Sequence, residues 1–366
     1  MPARSSAWTL ALIFAALIVY ASLYPFEGWR VQGVDLLDFL WAPWPQYWTR
    51  FDLLANLLGY VPLGFLLVLG MLRSGWGGGA WPLAVLLSAL LSLVVEVVQH
   101  LLPGRVPSNV DWGLNVTGAL LGASVAVGLQ RLGGLRRWSQ FRADWFAPDA
   151  HAGLVLLALW PFALLYPASV PFGLGQVAQR LETGLLRLLA GTPFLDWVPL
   201  RQAATPPLGE WAEVLCIALG LMAPVLLGYA EVRSTVRRSV FLLALLACAM
   251  AVSGLSSALT YGPEHAWAWL TPRASAGMGM ALLLGLAWMA VPARWCHVGL
   301  LLSVGLSLSL LNRAPDSAYF AQSLQVWEQG RFIRFHGLSQ WLGWLWPFAA
   351  LWLSAHALVR RGQRAD

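Results

Sequence analysis

Polar side chains interrupt an apolar stretch between Glu96 and Gly122, among them Glu96, Gln99, His100, Arg105, Asp111 and Asn115. Charged groups in or beside a membrane span are costly and mark ligand or ion sites. A related pattern lies upstream. Asp52-Leu-Leu-Ala-Asn56-Leu-Leu-Gly59 and Asp111-Trp-Gly-Leu-Asn115-Val-Thr-Gly118 both read D-x-x-x-N-x-x-G. Positions i and i+4 share a helix face, so each aspartate stands one turn from its asparagine. Glu96, Gln99 and His100 share a face by the same spacing, and Arg105 follows in a loop stiffened by Pro103 and Pro107. Three carboxylates (Asp52, Glu96 and Asp111) against one arginine need a proton, water or a cation to share a poorly solvated site. Arg105 has the planar fork that suits phosphate or carboxylate. Asp52, Glu96 and Asp111 are the candidate ligands for a Mg²⁺ ion, and Glu96 is the candidate general acid or base.

The same residues have a structural reading. Asp52 and Asp111 can cap helix N-termini, Asn56 and Asn115 can bond between helices, and Gly59, Gly64, Gly118 and Gly122 allow helices to approach closely.

Helices must position these groups, and the composition says where those helices lie. The chain has 366 residues, 58% of them hydrophobic and 11% charged, against roughly 25% charged in a soluble domain. Its mean hydropathy is +0.64. The class expected is all-α, a polytopic helical membrane protein. Ten apolar runs approach the length of about 20 residues that spans a bilayer. They are residues 8–26, 52–72, 81–101, 111–131, 151–170, 211–230, 239–260, 274–292, 297–312 and 339–358, the ninth being short. The 23 basic residues are all arginine, and placing both termini in the cytoplasm puts 13 of them inside. They are dispersed over many loops, which argues for a lipid bilayer as partner and against nucleic acid.

Three segments are expected: a four-helix domain at 1–131, a polar connector at 132–150, and a six-helix region at 151–366. Tyr24-Pro25 and Tyr166-Pro167 make the last a candidate degenerate repeat. Residues 41–48, WAPWPQYW, read as an interfacial loop, and residues 174–189 as an amphipathic helix on the membrane surface. Cys216, Cys248 and Cys296 show no metal or disulfide spacing.

One further pattern gathers the polar positions. Asp52-x3-Asn56-x5-Pro62-x-Gly64, then Glu96-x2-Gln99 with Pro103-Gly104-Arg105, then Asp111-x3-Asn115-x2-Gly118-x3-Gly122 resembles the VanZ-like family over residues 10–130. The resemblance implies a multi-pass protein of the bacterial cytoplasmic membrane. For founding members of the family it implies low-level resistance to the glycopeptide teicoplanin. The family's polar positions fall on Asp52, Asn56, Glu96, Gln99, Arg105, Asp111 and Asn115. The reading expected from these residues is binding of a polar or phosphorylated lipid-linked headgroup, such as an envelope precursor, at an outward-facing pocket. An enzyme acting on a lipid carrier and a transporter are the alternatives.

Overall fold

The computed structural model describes residues 6–23, 26–31, 33, 35–44, 50–103, 105–166, 168–197, 208–314 and 333–362. Among the described residues the regular structure is helical, apart from one isolated antiparallel bridge between Phe146 and Val232. The chain divides into two compact units, Met1–Arg142 and Ala143–Asp366.

The first unit holds α1 (Ser6–Leu23), α2 (Arg50–Arg73), α3 (Ala80–Gln99), α4 (Asn109–Arg131) and most of α5 (Gly134–Trp145). Short connections make α2, α3 and α4 alternate in direction, so the start of α2, the end of α3 and the start of α4 share one end of the unit. Gly64 on α2 lies against the carbonyl of Ala119. Gly118 and Gly122 on α4 lie against the carbonyls of Leu57 and Val61. A Cβ at any of the three would overlap the facing oxygen, which is how small residues let membrane helices touch backbone to backbone. Gly59 has open space around it and does not serve that contact. Helix α1 is tied at both ends. Trp8 Nε1 donates to Ser74 Oγ (3.0 Å), and Gln99 Nε2 donates to the Ser22 carbonyl (3.0 Å).

The second unit comprises α6 (His151–Ala163), α7 (Ala178–Leu189), α8 (Glu210–Glu231), α9 (Thr235–Tyr261), α10 (Pro272–Trp288), α11 (Ala293–Leu311) and α12 (Ile333–Gly362). Helix α8 is its axis: 78% of its apolar window is buried, against 33% or less in α2, α3 and α4. Ile217, Leu221, Leu226 and Leu227 on α8 pack with Leu242, Leu300 and Leu311 in one core. Arg238 is buried at the end of α8. Its guanidinium donates to the carbonyls of Tyr229 (2.5 Å), Val232 (3.3 Å), Met289 (2.8 Å) and Val291 (2.7 Å). One cation thereby closes the C-terminal ends of α8 and α10, where partial negative charge gathers. Asn312 works similarly at α7: its Oδ1 accepts from Val177 N and Ala178 N, and its Nδ2 donates to the carbonyls of Gly175 and Leu308. His297 Nδ1 meets Ser354 Oγ at 3.2 Å.

Among the described residues seven helices are long and apolar enough to cross a membrane, within α2, α3, α4, α8, α9, α11 and α12, so this is a multi-pass membrane protein. The short ninth run gives α11, 19 residues long. The fifth and eighth runs give shorter helices than their apolar length suggests. Helix α6 ends at Ala163, and α10 ends at Trp288, ahead of Pro292, which lacks the N–H a continuing helix needs and restrains its predecessor. In the expected surface helix, Leu174 is buried in the core and the helix begins only at Ala178. Leu181, Leu185 and Leu188 are exposed along one side of α7, as a helix lying on lipid requires. Residues 45–48 of the interfacial loop, and Tyr24, Pro25 and Pro167, lie outside the described residues.

Candidate functional site

Glu96 stands in the last turn of α3 and is 4% exposed. Its Oε2 accepts from Ser108 N at 3.0 Å. Ser108 is the N-cap of α4, and its Oγ accepts from Val110 N (3.2 Å) and Asp111 N (3.4 Å). Asp111 is therefore not the cap. It sits in the first turn, where the helix dipole favours a carboxylate. It is half-buried, and its charge is felt at Glu96. The carboxylate of one helix thus braces the start of the next.

One turn from Glu96 toward the middle of α3 is Ser92, fully buried. Asn115 Nδ2 on α4 donates to Ser92 Oγ at 2.9 Å. From α2, the Tyr60 hydroxyl lies beside the same serine and within the field of Glu96. Tyr60 is 4% exposed and Asn115 5%. Neither the Tyr60 hydroxyl nor Asn115 Oδ1 has a hydrogen-bond partner among the described residues. Leaving a buried polar group unsatisfied costs about 1–3 kcal/mol, so a matched pair of such groups calls for an explanation. A hydroxyl donor and an amide acceptor beside one serine suit a group that both accepts and donates. A hydroxyl, an amide or a water molecule meets that description.

The remaining polar positions divide. Asn56 is half-buried on α2, one turn from Tyr60. Gln99 is engaged with α1 at the Ser22 carbonyl. The His100 ring packs on Phe39, with centroids 5.7 Å apart. Arg105 is half-buried in the loop between α3 and α4, whose turn is closed by Arg105 N donating to the Leu102 carbonyl (2.9 Å). The side chain of Asp52 and all of Gly104 lie outside the described residues. Glu96, Asp111 and Asn115 thus come together, while Gln99 and His100 are occupied at the rim. Among the described residues no three His, Cys, Asp or Glu side chains converge to hold a metal ion. Of the Mg²⁺ candidates, Glu96 and Asp111 are neighbours.

Tyr60 and Ser92 were not among the residues the sequence pattern picks out. Ser88, Ser92 and Glu96 do recur at every fourth position of an apolar helix, and that series is the signal of a polar stripe on α3. Ser88 ends the stripe by donating to the carbonyl of Ala84 (2.9 Å).

The chain matches no curated protein and no solved structure. The family model described as VanZ/LLP1 does match, over residues 7–130, the segment that carries α1 to α4 and every member of the polar cluster.

Proposed function

We propose that this VanZ-type membrane protein binds a polar, phosphorylated lipid-linked headgroup through α2, α3 and α4, at the end carrying Glu96, Arg105 and Asp111. On this reading that end faces outward from the bacterial cytoplasmic membrane and both termini are inside. The observation that supports it is the pair of buried atoms on Tyr60 and Asn115 that make no hydrogen bond of normal geometry among the described residues, beside Ser92 and near the carboxylate of Glu96. A fold gains nothing by desolvating two such groups together, whereas a ligand hydroxyl or amide would satisfy both. Arg105, in the loop at the same end, is the phosphate-recognising residue, because its fork makes paired charge-assisted bonds to phosphate oxygens. Glu96 holds the loop that carries Arg105 by accepting from Ser108 N.

The test is retention of a polyprenyl phosphate by the purified full chain, read by native mass spectrometry. Wild type should retain the lipid, and Arg105→Ala should lower its affinity by about tenfold or more, the worth of one charge-assisted contact. Equal retention by wild type and Arg105→Ala would remove the reading.

A further inference from the structure

The first unit has a concave feature at the end opposite Glu96. A cavity of about 830 Å³ opens between the α2–α3 connection, the start of α3 and the end of α4, lined among others by Gly77, Gly78, Trp81, Ser124, Gln130 and Arg131. One wall is fixed: Trp81 Nε1 donates to Ser124 Oγ at 3.1 Å. We infer that this cavity is a binding site for the headgroup of an anionic phospholipid, held by Arg131 and by the arginines that follow it on α5.

Charge segregation carries the assignment. The six acids of residues 1–142 are Glu27, Asp35, Asp38, Asp52, Glu96 and Asp111. Each lies in α2's first turn, near the end of α3, in α4's first turn, or in the segment between α1 and α2. None lies at the cavity end, where α5 adds a single acid, Asp144, to Arg73, Arg131, Arg136, Arg137 and Arg142. Arg73 follows Leu72 of the cavity wall and is close enough to Arg142 for the two cations to repel. Five arginines against one aspartate form a positive rim, and each basic residue near an anionic membrane surface adds attraction. Basic pockets between membrane helices are where lipid headgroups lodge.

The depth is right for a headgroup. Trp76, Trp81 and Trp138 are exposed at this end, and Trp138 stacks on Phe141 with centroids 5.5 Å apart. Amphipathic aromatic rings of this kind sit at headgroup level. Helix α5 buries none of its residues in the protein while presenting Arg136, Arg137, Trp138 and Phe141, the composition of a helix lying on an anionic surface.

The experiment places the full chain in mixed micelles of phosphatidylglycerol and phosphatidylcholine with the same acyl chains, and counts bound lipid by native mass spectrometry. Wild type should prefer phosphatidylglycerol by about tenfold or more. Arg131→Gln should bring the preference near parity, and Arg131→Lys should retain it. Gly78 has no atom near the place a Cβ would occupy, so Gly78→Leu fills the cavity without moving the backbone and should also abolish the preference. No preference in wild type, or a preference that survives either Arg131→Gln or Gly78→Leu, overturns the proposal.

Discussion

Arg238 and Tyr60 are both buried polar side chains in apolar helices, and the bonding capacity of the two is used differently. In the second unit the guanidinium of Arg238 is consumed by four backbone carbonyls, and Asn312 spends both ends of its amide on the turn before α7 and on the carbonyl of Leu308. Those groups close helix ends around α8. In the first unit Tyr60 and Asn115 are as deeply buried, yet one atom of each has no partner among the described residues. Unused bonding capacity alone does not mark a ligand site, since Trp160 Nε1 and Trp269 Nε1 of the second unit also lack partners among the described residues; Tyr60 and Asn115 differ in standing together beside Ser92 and Glu96.

Removing polar atoms should have opposite consequences in the two units. Arg238→Ala strips a cation from four carbonyls in a buried setting and should destabilise the chain by about 3 kcal/mol or more, measured by unfolding in detergent. If its stability matched wild type, the clamp would be dispensable. Next in size is the helix contact of the first unit. Gly122→Ala forces a methyl against the Val61 carbonyl and should cost about 1–3 kcal/mol, whereas Gly59→Ala, on open surface, should be neutral or stabilising by up to about 1 kcal/mol. Equal effects of the two alanines on the melting temperature would contradict the close α2–α4 packing.

Glu96→Gln separates bracing from charge. The amide oxygen can still accept from Ser108 N, so stability should fall by only about 0.5–1.5 kcal/mol, while affinity for a polyprenyl phosphate should rise as a negative charge near the phosphate is removed. Unchanged affinity would confine Glu96 to holding the loop. The smallest effect on folding is expected for Tyr60→Phe, which deletes a hydroxyl that makes no hydrogen bond of normal geometry among the described residues.

Much of this was legible in the chain. Apolar run length gives the helical membrane class, because a bilayer admits only backbones that satisfy themselves. The D-x-x-x-N-x-x-G pattern locates Asn115 and marks Gly118 as a contact, but it also marks Gly59, which faces open space. Spacing fixes a helix face and not what the face meets. Asp111 has the composition of a cap, yet Ser108, three residues earlier, takes that place because the loop delivers its hydroxyl to the first-turn N–H groups. Tyr60 reads as one more apolar-run aromatic until α3 brings Ser92 beside it. Arg238 reads as one of several arginines flanking a span. Its role depends on two helix ends, 60 residues apart in sequence at Tyr229 and Met289, meeting around it.

The most direct test is a paired measurement on wild type and Tyr60→Phe, taking ligand-free stability and affinity for a sugar-bearing polyprenyl phosphate, whose hydroxyls can both accept and donate, on the same preparations. Stability within about 0.5 kcal/mol of wild type, or above it, together with affinity reduced about fivefold or more, is the result expected of a group that serves a ligand and not the fold. A loss of stability with unchanged affinity would show Tyr60 to be a structural residue and would contradict the account.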